Sequence, residues 1–181
     1  YVIPEHFRPK SEDEETQIVE YADWALRLFF DEARKKPWYA NTVFVLIGDH
    51  GKLVGEAESV NPDSYNHVPL MIHVPGGTPQ IRREWALQMD VQPTLLGLLG
   101  IGARQHNFGV DLNRIKRPCA FYTADNVICA RDSSRFYVYE PSTGQEHFYR
   151  DGKNADGADS IFSEMRNYLF SMIQSAQYLL Q

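Results

Sequence analysis

The first half of the chain alternates between apolar residues at helical spacing and continuous apolar runs. Residues 18–33 repeat apolar positions every three or four residues, which predicts a helix with Ser11 as its cap and an end at Lys35-Lys36-Pro37. The runs 42–47 and 68–74 consist almost entirely of apolar or β-branched residues, a pattern typical of strands covered on both faces in a parallel sheet. This alternation indicates an α/β fold.

The pattern changes after about residue 115. Short segments rich in aromatic and β-branched residues are separated by turn sequences, which predicts an antiparallel meander followed by a helix over 159–180. We therefore expect two regions: an α/β part over 1–115, and a small antiparallel part with a terminal helix over 116–181. A shorter helix begins near Asp90, whose simplest role is that of an N-cap, and Asp111 fits a turn that joins the two regions.

Composition narrows the classes of partner. The 181 residues are 43% hydrophobic and 23% charged, with a net charge of -6, so no basic field favours nucleic acid. No apolar run reaches the roughly 20 residues that span a bilayer. The chain begins with Tyr1 and an extended, proline-containing segment, so we expect it to be a fragment of a longer protein.

The strongest candidate site follows the run 42–47, which leads directly into Gly48-Asp49-His50-Gly51. In open α/β sheets, ligands bind beyond the carboxyl ends of the strands. A carboxylate and a neutral imidazole both suit a divalent cation, and the glycines allow a sharp turn. These residues alone fit a metal site and an ordinary turn equally well.

The two cysteines lie in the predicted meander. If the first hairpin centres on Ala124, Cys119 faces Cys129, and a disulfide is geometrically possible. Two small buried hydrophobic residues are the simpler interpretation, and it is the one the spacing favours.

Four ordered stretches carry a family resemblance. They are "YADWALRLFFDEARKKPWYANTVFVLIGDHG", "NHVPLMIHVPGG", "MDVQPTLLGLLGI" and "FGVDL". In order and spacing they resemble the C-terminal half of the sulfatase-type domain of the alkaline phosphatase superfamily, and most of all the lipoteichoic acid synthase and phosphoglycerol transferase group. The implied fold is an alkaline-phosphatase-like α/β sandwich with a mostly parallel sheet, of which this chain is one part.

The resemblance also implies a metal site. It makes Asp49 and His50 ligands of one divalent metal, with manganese or magnesium expected and calcium or zinc as alternatives. The family's nucleophile and a further Glu ligand are expected upstream, so the resemblance assigns no catalytic residue to this chain. Related two-metal enzymes have a His where Asp63 or Ser64 stands here, which favours a single metal.

Two further residues are candidate substrate contacts. His67 directly precedes the second strand, where many sulfatases have a cation, and Lys52 follows the Asp-His turn. For each, a purely structural or solvated role is the competing interpretation. His73 lies within the strand and is expected to be packed there.

The implied activity of the intact protein is metal-dependent transfer or hydrolysis of phosphate or sulfate esters, with phosphoglycerol transfer preferred. The alternatives are a sulfatase acting on glycans, a phosphoethanolamine transferase and, as the weakest, a non-enzymatic module. The expected partners are an ester substrate derived from phospholipid or glycan, the missing N-terminal half of the domain, and a second copy through an exposed sheet edge. An extracytoplasmic, membrane-anchored parent protein follows by the same analogy.

Overall fold

The computed structural model describes residues 4–51, 63–155 and 159–179. They fall into two compact units, one within residues 1–49 and 68–80 and the other within 50–67 and 81–181.

The first unit is built on a long amphipathic helix. Helix α1, Glu14–Ala33, begins at Asp13, whose carboxylate accepts the backbone N–H of Thr16 at 2.8 Å. The prediction of Ser11 as the cap is wrong, because the helix begins only at Glu14 and Asp13 occupies the N-cap position. A short 3₁₀ turn, Tyr39–Asn41, then leads into the first strand.

The first unit contains a two-stranded sheet. Strand β1, Phe44–Ile47, pairs with β2, Leu70–His73, and their register places Phe44 opposite His73. Phe44 is buried against an aromatic cluster, with its ring centroid 5.1 Å from that of Phe30 and 5.4 Å from that of Tyr39. This cluster fixes the strand pair against the end of α1.

The prediction of a mostly parallel sheet is wrong for the described part of the chain, where every strand pair is antiparallel. The chain leaves β1 and returns beside it in the opposite direction, so that the N–H of Gly48 still bonds the carbonyl of Pro69 at 3.2 Å. An apolar run indicates that a strand is buried, but it does not indicate whether the strand is parallel or antiparallel to the adjacent strand.

The second unit contains two short helices. These are α2, Asp63–Asn66, and α3, Val91–Leu98, with a 3₁₀ turn, Gln88–Asp90, directly before α3. Helix α3 ends before Gly100, which has a φ of +67°, a backbone conformation that glycine adopts readily.

The predicted meander is present as a five-stranded antiparallel sheet with its strands in consecutive order. The strands are β3, Ala120–Ala124; β4, Val127–Arg131; β5, Arg135–Glu140; β6, Gln145–Arg150; and β7, Lys153–Asn154. Helix α4, Ser160–Leu179, packs on one face through Phe162, Met165 and Leu169. The terminal helix is thus confirmed, and its buried residues complete the core of this unit.

The register that would place Cys119 opposite Cys129 is wrong by three residues. The first hairpin turns on Asp125 and Asn126, both with positive φ, and this places Tyr122 opposite Cys129. Cys119 precedes β3 and joins the core beneath α4, whereas Cys129 belongs to the cluster on the other face of the sheet. Both cysteines are buried and neither is in a disulfide, as the simpler interpretation holds, and burial raises the pKa of Cys119 to about 12.

Candidate metal site

Asp49 and His50 directly follow the ladder that ends β1, and both are exposed. Backbone hydrogen bonds flank them on either side. In the first unit, the N–H of Gly48 donates to the carbonyl of Pro69 at 3.2 Å. In the second unit, the N–H of Gly51 donates to the carbonyl of Tyr65 at 3.0 Å. The backbone on each side of Asp49 and His50 is thus held by a hydrogen bond within its own unit, and the side chains of both candidate ligands are exposed.

Gly48 packs closely against the chain that enters β2. A Cβ atom built on Gly48 would lie 3.1 Å from the Cβ and 3.3 Å from the Cγ1 of Val68, which is tighter than ordinary van der Waals contact. The absence of a side chain at this position allows that approach.

The imidazole of His50 has a defined tautomer. Its Nδ1 lies 2.8 Å from the carbonyl oxygen of Gly51, and because a carbonyl can only accept, Nδ1 carries the proton. The lone pair is then on Nε2, the nitrogen with which a neutral histidine in this tautomer binds a metal.

The chemistry of this pair fits a divalent cation, since carboxylate and imidazole are ligands for manganese, magnesium and zinc. The pair is incomplete within the described residues, however, where no group of three or more His, Cys, Asp or Glu side chains could hold a metal.

The other predicted contacts have different outcomes. His67 is exposed between α2 and β2, on the segment that accepts the hydrogen bond from Gly51. Lys52 lies outside the described residues. His73 is packed as predicted: its Nε2 lies 2.7 Å from the hydroxyl of Tyr39, and its ring contacts Phe30 and Phe44.

Asp90 has a structural role, but the group that defines this role was not predicted. Its side chain is fully buried and pairs with the guanidinium of Arg117, which also donates to the carbonyl of Phe108 and the hydroxyl of Tyr168. Burial alone would lower the pKa of Arg117, but the hydrogen bonds and charge of Asp90 outweigh it and raise that pKa. Arg117 is not part of any periodic pattern. The only sequence signal for its buried ion pair is the presence of an arginine between two apolar regions.

The Asp90 carboxylate also organises the backbone around α3. It accepts the N–H groups of Leu87 and Val110, both at 2.8 Å, and makes no side-chain hydrogen bond that caps α3 itself. The predicted capping of α3 is therefore wrong in detail: the carboxylate closes the preceding 3₁₀ turn and ties it to the loop before Asp111.

The predicted turn at Asp111 is confirmed. Its backbone carbonyl accepts the N–H groups of Arg114 and Ile115, and its carboxylate accepts that of Asn113 at 2.9 Å. Gly97 of α3 lies so close to this carboxylate that any side chain there would collide with it. Asp111 is thereby part of the scaffold and not of the exposed Asp-His turn.

Comparison with known proteins identifies the domain. Residues 12–101 match the model of the sulfatase family. The chain contains part of a sulfatase-family domain. The matched residues of this sulfatase domain include both candidate ligands and His67.

Named relatives of this sulfatase domain include lipoteichoic acid synthases. The chain is 32% identical to lipoteichoic acid synthase 1 of Bacillus subtilis over 145 residues, which cover 72% of this chain and 23% of that protein. It is 34% identical to the lipoteichoic acid synthase of Staphylococcus aureus over 111 residues, 53% of this chain and 17% of the relative. The chain thus spans less than a quarter of the length of these relatives.

Solved structures establish the alkaline phosphatase superfamily fold. A superfamily protein from Vibrio parahaemolyticus superposes with a TM-score of 0.80 at 24% identity, covering 98% of this chain and 46% of that one. A phosphonate monoester hydrolase from Silicibacter pomeroyi superposes with a TM-score of 0.71 at 16% identity, covering 90% and 40%. The sulfatase domain described here is therefore a portion of a larger known fold.

Proposed function

We propose that the intact protein transfers or hydrolyses phosphate or sulfate esters with the help of a divalent metal, and that it is a phosphoglycerol transferase. The observation that carries the proposal is the exposed Asp49-His50 pair directly after β1, within the region matched by the sulfatase family. The similarity to lipoteichoic acid synthases favours transfer of phosphoglycerol from a phospholipid.

In this proposal Asp49 and His50 hold one manganese or magnesium ion. The cation, when bound, supplies Lewis acidity toward the ester. Asp49 contributes a negative oxygen ligand, and His50 contributes Nε2 while its Nδ1–H remains bonded to Gly51. His67 and Lys52 are proposed to contact the substrate's anionic oxygens, and the nucleophile belongs to a part of the parent protein outside this chain.

The proposed setting is the outer face of a membrane, with the parent protein anchored there, because lipoteichoic acid synthases are the named relatives. None of the helices in the part of the chain that the structure describes has the length and hydropathy of a bilayer span.

A glycan sulfatase is the second candidate. Its support is a structural match to a solved 2-O glycosaminoglycan sulfatase, with a TM-score of 0.63 at 20% identity. The identity of the upstream nucleophile separates the two: threonine favours the transferase, whereas a cysteine or serine in a sulfatase consensus favours sulfate ester hydrolysis.

Substitution of the two ligands in the intact protein tests the metal assignment. We expect Asp49→Ala and His50→Ala each to lower turnover of a fluorescent phosphatidylglycerol by at least about 100-fold and to remove bound manganese, because each deletes a direct ligand. Asp23→Ala and His106→Ala, at other exposed positions, serve as matched controls and should retain both properties. A variant with native circular dichroism that keeps bound metal and more than a few per cent of the activity would contradict the assignment.

A further inference from the structure

Residues 65–69 contact the backbone before Asp49 within the first unit and the backbone after His50 within the second unit, and none of them belongs to the proposed ligand set. Tyr65 lies in the last turn of α2, and residues 67–69 lead from α2 into β2. The carbonyls of Tyr65 and Pro69 accept the N–H groups of Gly51 and Gly48, respectively. A metal ligand holds its geometry only when its own backbone and ring are oriented by neighbours.

On the Asp49 side, the constraint combines a hydrogen bond with close packing. The bond from Gly48 to Pro69 continues the β1–β2 ladder by one step beyond Ile47. The side chain of Val68 lies against the Cα of Gly48, close enough that one added methyl group would meet it at 3.1 Å. The peptide that leads into Asp49 is therefore fixed in position by Val68 and Pro69.

On the His50 side, the constraint passes through a single peptide group. The Gly51 N–H donates to the carbonyl of Tyr65, and the Gly51 carbonyl accepts from Nδ1 of His50. Holding the Gly51 peptide thus also holds the ring orientation and tautomer of His50, which present Nε2 as the basic nitrogen.

We propose that residues 65–69 are a positioning element for the metal ligands, with Val68 orienting Asp49 by contact with Gly48 and Tyr65 orienting His50 through Gly51. This inference rests on the proposed function, since it presupposes that Asp49 and His50 bind metal. It assigns to this segment a role independent of any contact between His67 and substrate.

A double-mutant cycle in the intact protein tests the packing half of the proposal. Gly48→Ala adds the methyl group that meets Val68, and Val68→Gly removes the atoms it would meet. We expect Gly48→Ala to weaken manganese binding roughly 10- to 100-fold, the usual effect of disturbing groups that orient a ligand. In the Val68→Gly background the same substitution should weaken binding less than threefold, because the steric conflict is gone.

The matched control is Gly102→Ala, where an added Cβ meets nothing within 4 Å and no positive φ is involved. Manganese binding is measured by titration followed by electron paramagnetic resonance, with circular dichroism for each variant. The positioning role predicts a lower metal affinity with an unchanged fold and an unchanged KM for substrate at saturating manganese. If Gly48→Ala does not fold, Val68→Gly alone supplies the test: loss of the packing at Gly48 should weaken manganese binding at least threefold.

Three outcomes would contradict either the positioning role or the ligand assignment. If Asp49→Ala abolishes manganese binding while Gly48→Ala binds as tightly as Gly102→Ala, the positioning role is wrong and the ligand assignment stands. Equal weakening by Gly48→Ala in both Val68 backgrounds would also reject the positioning role. If Asp49→Ala itself binds manganese normally, the proposed function fails first.

Discussion

At the scale of single residues, Asp49 and His50 are exposed, whereas Asp90 is fully buried. Asp49 and His50 stand at the end of an apolar run between glycines, and the structure places both at the surface after β1. Asp90 was correctly predicted to be structural, but its partner was not identified, because Arg117 is 27 residues away and no local pattern connects the two.

The buried pair of Asp90 and Arg117 leads to a stability prediction. Asp90→Ala leaves the guanidinium buried without its carboxylate and also frees the N–H groups of Leu87 and Val110. We expect a loss of about 3–5 kcal/mol in the free energy of unfolding, measured by urea denaturation followed by circular dichroism.

The matched control for this substitution is Asp23→Ala on the exposed surface of α1. It should change the free energy of unfolding by no more than about 0.5 kcal/mol. A comparably small effect for Asp90→Ala would mean that the ion pair contributes little to the fold.

At the scale of elements, the sequence predicts which helices and strands are present, but not how the strands pair. Helices α1, α3 and α4 and the meander follow from periodicity and turn residues. The prediction of strand direction is wrong at β1 and β2, because the apolar composition of a strand is the same whether its neighbour is parallel or antiparallel. The register expected for the first hairpin is also wrong. The two-residue turn at Asp125 and Asn126 shifts every residue pair by three positions relative to a turn centred on Ala124.

The packing of α4 on the meander gives a prediction at the element scale. Leu169 is fully buried in the cluster that includes Ala130 and Tyr137, so Leu169→Ala creates a cavity between the helix and the sheet. We expect a loss of about 2–5 kcal/mol in the free energy of unfolding.

Leu179→Ala on the same helix is the control for this substitution, since its side chain is 62% exposed. Its effect should stay within about 0.5 kcal/mol, again measured by urea denaturation. Equal effects of the two substitutions would show that α4 does not pack on the sheet in solution.

At the scale of the whole molecule, the incomplete ligand set and the short β1–β2 sheet have a common consequence. The described residues supply two proposed ligands, and β1 and β2 have no strand neighbours there beyond each other. Apolar side chains remain exposed on this pair, with Ile47 at 41% and Met71 at 53%. Open, apolar strand edges promote association with other chains.

We therefore expect the 181-residue chain alone to show no turnover, to bind manganese only at millimolar concentration or more weakly, and to self-associate. Phosphodiesterase and sulfatase assays, calorimetric titration and analytical ultracentrifugation measure the three properties. Met71→Lys should shift the chain toward monomer, because a charge on an exposed strand opposes pairing. Micromolar manganese binding or measurable turnover would show that the active site has been placed wrongly.

The consecutive strand order of the meander has a consequence for how the chain folds. Each strand from β3 to β7 pairs with the next one along the chain, so these contacts close only short loops. The β1–β2 pair joins residues up to 29 positions apart, from Phe44 to His73, and the Arg117 contact with Tyr168 spans 51. Local hairpins form sooner than such distant contacts, so the C-terminal meander is the expected folding nucleus, and the Asp-His turn reaches its final geometry late.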